Sequence, residues 1–364
     1  MIIRAGFLIF LLLVIYILSA FLNPIPKKNT VEGFKPRYGV SYSFEQAGWY
    51  GLDPKKSYIE LLSAAKFDWV RLPFFWDQMV DENGIFNKNF EDLEFAVKEA
   101  KIRNIKVVIV VGAKTPYYPE YHLPDRIKSQ LKFGDTITAN HPVAKDILAI
   151  DKKVGEALSA HDNIAFWQVE NEPFLANVNN WKIDESLVRA EVETIRSADS
   201  KHRPIILNHV GPSAFDKKYR RLLDILKPGD VLGVNAYFKT QGVHLASFKI
   251  GAKEIRIPWP KWLVWPVQSW FLLSPDYEGL KNEVGAKSIK LWVLEMQAEP
   301  YVRTLNDANA ASFAFCPQDI LAGDQFLKSS KVESVGLWGA PFWQFRLAHS
   351  DNSWLESVRK TVDR

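Results

Sequence analysis

The chain has 364 residues, 47% hydrophobic and 24% charged, so it can bury a large core and lacks the composition of a disordered chain. Its 46 basic and 42 acidic side chains are scattered, with no basic stripe, which argues against nucleic acid as a partner. One cysteine, Cys316, excludes an intramolecular disulfide and any Cys-cluster metal site, while 13 Trp, 23 Phe and 12 Tyr supply either core or stacking surfaces for flat apolar ligand faces such as those of sugars.

Residues 5–22 form an uncharged apolar run preceded by Arg4 and followed by Pro24, Pro26, Lys27 and Lys28. Its length fits a spanning anchor better than a signal-peptide core, and no clear small-x-small cleavage site follows. Both readings stay open: an anchor that tethers the protein to a membrane facing outside the cytoplasm, or a cleaved signal that leaves it secreted. Residues 23–35 read as a linker and residues 36–364 as one folded domain.

Beyond the linker, short apolar runs alternate with longer segments of helical period, the pattern of a parallel sheet covered by helices. The runs at 38–43, 69–72, 106–111, 164–169, 204–208, 231–235, 290–294 and 334–338 predict eight strands. Helices are predicted over 57–66, 89–103, 143–160, 185–197, 216–226 and 317–329. In 89–103 the positions Phe90, Leu93, Phe95, Ala96 and Ala100 approximate one stripe. Eight such units favour a closed (β/α)8 barrel over an open nucleotide-binding sheet, and no GxGxxG follows the first strand. In such a barrel, polar residues at the C-terminal strand ends are the functional candidates.

The fourth strand runs into WQVENEP, residues 167–173. Gln168, Glu170 and Glu172 share one parity, which predicts a polar column at the barrel mouth. The seventh strand is LWVLEMQAEPY, where Glu295 shares parity with Leu291 and Val293, read as inward-facing. Strands four and seven lie three positions apart on an eight-strand ring, so two carboxyl groups can meet across the mouth. That is the pair glycoside hydrolysis needs: one protonates the leaving oxygen, the other attacks or stabilises the anomeric carbon.

On these residues the sequence, over roughly positions 36–350, resembles the clan of retaining (β/α)8 glycoside hydrolases that includes the family 5 cellulases and mannanases and the family 42 galactosidases. The resemblance implies Glu172, within Asn171-Glu172-Pro173, as acid/base and Glu295 as nucleophile. It implies that Arg71 and Tyr237 contact the nucleophile, that Asn171 holds the sugar 2-hydroxyl, and that Trp338 floors the subsite beside the scissile bond. No metal or organic cofactor is implied. The chain departs from family 5 in having Asn235-Ala236-Tyr237 where His-x-Tyr is common after strand six, and in lacking the usual His after strand three. Asn235, His209, Trp76 and Trp343 are further candidates for sugar contact.

An insertion of about fifty residues separates strands six and seven, and loops of such length are usually functional. Its Trp259, Trp262, Trp265 and Trp270 fit a glycan cleft, a membrane interface or a packed helix. The expected partner is an oligo- or polysaccharide, hydrolysed through a β-linkage. Transglycosylation by the same residues, and a membrane-tethered glycan-binding protein without catalysis, are the competing readings.

Overall fold

The computed structural model describes residues 34–176, 178–211, 217–238, 244–250, 253–258, 276–300, 302, 304–309 and 315–363, with 9–11 and 14 near the N-terminus; for 178, 244–250 and 253–258 it describes the backbone alone. The predicted apolar segment 5–22 and linker 23–35 lie almost wholly outside the described residues. So do Trp259, Trp262, Trp265 and Trp270. Among the described residues, no helix is long and apolar enough to cross a membrane.

Eight parallel strands close into a barrel in chain order: β1 (Arg37–Ser41), β2 (Trp69–Pro73), β3 (Lys106–Val111), β4 (Ile164–Val169), β5 (Ile205–His209), β6 (Val231–Ala236), β7 (Lys290–Gln297) and β8 (Ser334–Trp338). Each begins within a residue of its predicted position. The helices that follow them in turn are α1 (Pro54–Ala64), α2 (Lys88–Ile102), α3 (Ala144–Leu158), α4 (Glu185–Ala198), α5 (Tyr219–Leu223), α6 (Tyr277–Gly285), α7 (Pro317–Ser329) and α8 (Ser353–Val362). Within the insertion, His244–Ile250 and Lys253–Pro258 pair as an antiparallel hairpin.

Local chemistry explains where the helices begin. The side chains of Asp53 and Asn87 accept backbone N–H bonds at the starts of α1 and α2, satisfying donors that a first helical turn leaves unpaired. In α2 the buried face is Phe90, Leu93, Ala96, Val97 and Ala100. Phe95 turns sideways, only partly buried, beneath the ammonium of Lys55.

The barrel interior is a separate small core formed by Trp69, Val108, Ile206, Val231, Trp292 and Leu294, with Phe166 packed on it. Trp69 and Trp292 stack with ring centroids 5.5 Å apart and an interplanar angle of 26°. Two indoles fit inside because neighbouring strands present no side chain there. A Cβ on Gly39 would lie 2.0 Å from the Trp69 ring, and one on Gly336 would lie 2.3 Å from the Leu294 carbonyl oxygen. This apolar plug fills the N-terminal end of the barrel and leaves the C-terminal mouth to polar residues.

The pleat of β7 differs from the predicted one. Trp292 and Leu294 face the interior, whereas Leu291 and Val293 belong to the outer core shared with the helices. Glu295 would therefore point outward in a regular strand. A bulge intervenes: Val293 pairs with Val234, but Asn235 is opposite Glu295, so one residue is skipped. The extra residue turns Glu295 to the mouth.

Candidate active site

The site is built on Arg71. It is completely buried, the central residue of β2, and its guanidinium can only donate hydrogen bonds. Nη1 donates to Glu295 Oε1 at 2.6 Å, Nε to Gln168 Oε1 at 2.7 Å and Nη2 to Asn171 Oδ1 at 2.8 Å. Because Arg71 cannot accept, both amides must present oxygen to it, which fixes their orientation. The remaining bonds then follow. Asn208 Nδ2 donates to Asn171 Oδ1 at 3.0 Å, and Asn208 Oδ1 accepts the backbone N–H of Glu172 at 2.8 Å. Gln168 Nε2 donates to Asn208 Oδ1 at 3.2 Å and to the Glu170 carbonyl at 2.9 Å.

The two predicted carboxyl groups stand in different surroundings. Glu295 receives Arg71 on Oε1 and the Tyr237 hydroxyl on Oε2 at 2.8 Å, so each oxygen has a donor. Glu172 accepts from Asn235 Nδ2 at 2.6 Å. Burial first, and then the neighbouring charge of Glu295, push the Glu172 carboxyl up to about 8; Lys114 and the Asn235 bond act the other way. Both carboxyl groups line one cavity of about 370 Å³ together with Asn171, Tyr237, Trp338 and Tyr117.

The expected polar column does not form on β4. The strand ends at Val169, and Glu170 and Glu172 both adopt left-handed backbone, with φ of 59° and 48°. That conformation breaks the alternation on which the parity argument rested. Glu170 turns away from the mouth and accepts the N–H groups of Ala113 and Lys114 at 2.7 and 2.8 Å. It sits among two further buried acids, Asp151 of α3 and Glu191 of α4, and burial raises the proton affinity of all three.

Four of the candidates for sugar contact, Trp343, Trp76, His209 and Asn235, do not line the cavity. Trp343 is fully buried and donates its indole N–H to the Ala298 carbonyl at 2.8 Å, a core role. Trp76 is also buried, under the guanidinium of Arg126. His209 follows the inward-facing Asn208, so the pleat turns it outward; its Nδ1 lies 2.5 Å from the Val210 carbonyl oxygen. Trp338 does line the cavity and stacks on Tyr117 at 4.4 Å. Asn235 meets the site through Glu172 rather than as a cavity wall.

Among the residues of the site that escaped the sequence reading are Asn208, Lys114, Tyr117, Glu120 and Glu299. Asn208 was accessible through parity, being the last inward position of β5. Lys114 and Glu120 come together only because the segment after β3 turns back on itself, with the Thr115 N–H bonded to the Glu120 carbonyl. Glu299 lines the cavity four residues past Glu295, with burial pushing its carboxyl up to about 8 against a hydrogen bond from the Trp338 indole.

A closed eight-stranded barrel with two buried carboxyl groups at one mouth defines the class of (β/α)8 O-glycosyl hydrolases. The chain matches the family model "Cellulase (glycosyl hydrolase family 5)" over residues 28–232, more than half its length, and belongs to that family. The His departures noted in the sequence are thus variations within the family. No curated protein matches by sequence.

Several solved structures share the fold. One is a GH5_18 enzyme from Streptomyces cattleya in complex with GlcNAc: 13% identity, TM-score 0.59, covering 90% of this chain and 80% of that one. A family 5 lichenase from Caldicellulosiruptor sp. F32 has 14% identity and a TM-score of 0.56, covering 93% and 99%. A β-galactosidase from Marinomonas ef1 has 13% identity and a TM-score of 0.52; 83% of this chain is covered, but it spans only 53% of that one.

Proposed function

We propose that this glycosyl hydrolase cleaves β-linked, uncharged glycans with retention of configuration. Glu295 attacks the anomeric carbon, while Glu172 protonates the leaving oxygen and then deprotonates the water that releases the sugar. The observation that carries this reading is the unequal setting of the two acids. Arg71 and Tyr237 donate to both oxygens of Glu295, holding the carboxyl as an acceptor on either side. Glu172, pushed up to about 8, keeps its proton at neutral pH. A nucleophile and an acid are thereby available together.

The restriction to uncharged glycans rests on the cavity wall. Glu120, Glu172, Glu295 and Glu299 line it, and no described lining residue is Lys, Arg or His. The charges of Arg71 and Lys114 lie beneath the wall, each paired with one of these carboxylates. Among the described lining residues, a uronic acid or sulfated sugar would find acceptor oxygens and no cation that is not already paired. Trp338, backed by Tyr117, offers an aromatic face for the sugar ring. We place residues 36–364 in the catalytic domain and assign residues 5–22 to a membrane anchor or signal peptide that puts it outside the cytoplasm.

The test is a panel of aryl β-glycosides and β-glycans, including matched uronides, with NMR of the first-formed anomer. Retained configuration, loss of turnover in both Glu172→Gln and Glu295→Gln, and poor cleavage of the uronides are expected. An inverted first product would disprove the double displacement. Transfer of the glycosyl unit to an added sugar would instead mark a transglycosylase using the same residues.

A further inference from the structure

Glu172 sits in left-handed backbone, a conformation unfavourable for a residue with a Cβ that persists only where its surroundings hold it. Its N–H is held by Asn208. Its C=O is held by Lys114, whose Nζ donates to the Glu172 carbonyl at 3.0 Å and to the Leu175 carbonyl at 3.1 Å. The same Nζ lies 3.0 Å from Glu120 Oε2, an ion pair without hydrogen-bond geometry. The Lys114 side chain is fully buried, while that of Glu120 is 26% exposed and lines the cavity.

The Lys114 backbone is tied to the same loop. Its N–H donates to Glu170 Oε2 at 2.8 Å, and its C=O accepts the Asn171 N–H at 2.7 Å. A buried ammonium group held by two carbonyl hydrogen bonds and one carboxylate contact is fixed in place and cannot be screened by water. It therefore acts on the nearby carboxyl as a permanent charge.

We propose that Lys114 is a positioning residue for the acid/base: it fixes the Glu172 peptide and supplies a standing positive charge beside its carboxyl, which Glu120 partly cancels. This rests on Glu172 being the acid/base. The charged and titratable groups that share the cavity with Glu172 are Glu120, Glu295, Glu299, Tyr117, Tyr118 and Tyr237, with Arg71 and Lys114 paired to Glu295 and Glu120 beneath it. Lys114 itself also faces Glu170 and stands opposite Tyr121. Of these, Lys114 lowers and Glu120 raises the proton affinity of Glu172.

Neutralising the two partners should therefore have opposite effects. With Glu side chains labelled with 13C at the carboxyl carbon, and the Glu172 resonance assigned by its loss in Glu172→Gln, the titration of Glu172 is followed in the wild type, Lys114→Met and Glu120→Gln. Lys114→Met should move it to higher pH and Glu120→Gln to lower pH, each by about one unit, a tenfold change in the protonation equilibrium. A variant that merely loosened the loop would shift Glu172 the same way from either side. Shifts of one sign in both variants, or none in either, would overturn the proposal. If Lys114→Met does not fold, the partly exposed Glu120→Gln decides alone, a downward shift supporting the proposal and any other result rejecting it. Undiminished glycoside turnover in Glu172→Gln would refute the acid/base reading, a failure distinct from that of the Lys114 clamp.

Discussion

Arg71 and Asn208 donate to the same oxygen of Asn171, at 2.8 and 3.0 Å. With its acceptor occupied twice from below, Asn171 can offer the cavity only its NH2 group, a donor suited to a sugar hydroxyl oxygen. If that hydroxyl is at C2, Asn171→Ala should lower kcat/KM about a hundredfold on an ordinary glycoside, the range of a lost transition-state donor. On the matching 2-deoxy glycoside it should cost little beyond the loss the missing hydroxyl already imposes. An equal loss on both substrates would remove Asn171 from hydroxyl recognition.

The state of Glu172 predicts a pH profile. As the proposed acid, it must hold its proton, so kcat/KM should fall as pH rises through about 8. Glu172→Gln should slow cleavage of poor leaving groups by about 10²- to 10⁴-fold, and of a dinitrophenyl glycoside much less, because its departure needs no proton. Added azide should restore turnover by replacing the activated water. If the alkaline limb persists unchanged in Glu172→Gln, another group is responsible for it.

The acid trio behind the mouth predicts a trend in stability. Asp151, Glu170 and Glu191 have proton affinities raised by burial, so between their ordinary carboxylate values and their raised ones the folded protein binds more protons than the unfolded chain. Stability contributed by their protonated forms is complete below the ordinary range and is lost as pH rises. Melting temperature should therefore decline from about pH 5 towards alkaline pH, and Glu191→Gln, which cannot ionise, should flatten that decline. Thermal melts at several pH values measure both slopes; identical slopes would acquit the trio.

Filling the space beneath the indole pair should be costly. Gly39→Ala places a Cβ 2.0 Å from the Trp69 ring, and such overpacking costs about 1–3 kcal/mol or more. Denaturant unfolding should show a lower midpoint. Pairing it with Trp69→Phe, which shrinks the ring, should recover part of the loss, and the double variant separates a steric clash from a backbone effect.

The barrel was legible because each strand is a run of apolar residues with its own flanking turn, a signal that depends only on near neighbours. Glu172 and Glu295 were legible as strand-end carboxylates, yet the parity argument for both was unsound. Glu295 reaches the mouth through a bulge at Leu294, and Glu172 through left-handed backbone, and neither irregularity is written in the alternation of side chains. His209 stands out in the sequence as a strand-end imidazole, although the pleat favours its neighbour Asn208. Lys114 and Glu120 depend on a chain reversal and on contacts across more than fifty positions, which no local pattern encodes.

The stacked Trp69 and Trp292 at the closed end of the barrel have a spectroscopic consequence. Two indoles 5.5 Å apart at a fixed angle couple their electronic transitions, and the resulting circular-dichroism couplet exists only while β2 and β7 are held in one ring. Trp338, by contrast, sits at the open end against Tyr117, where a sugar would alter its emission. The protein thus carries two native optical probes at opposite ends of one barrel, one reporting closure of the ring and the other occupancy of its mouth.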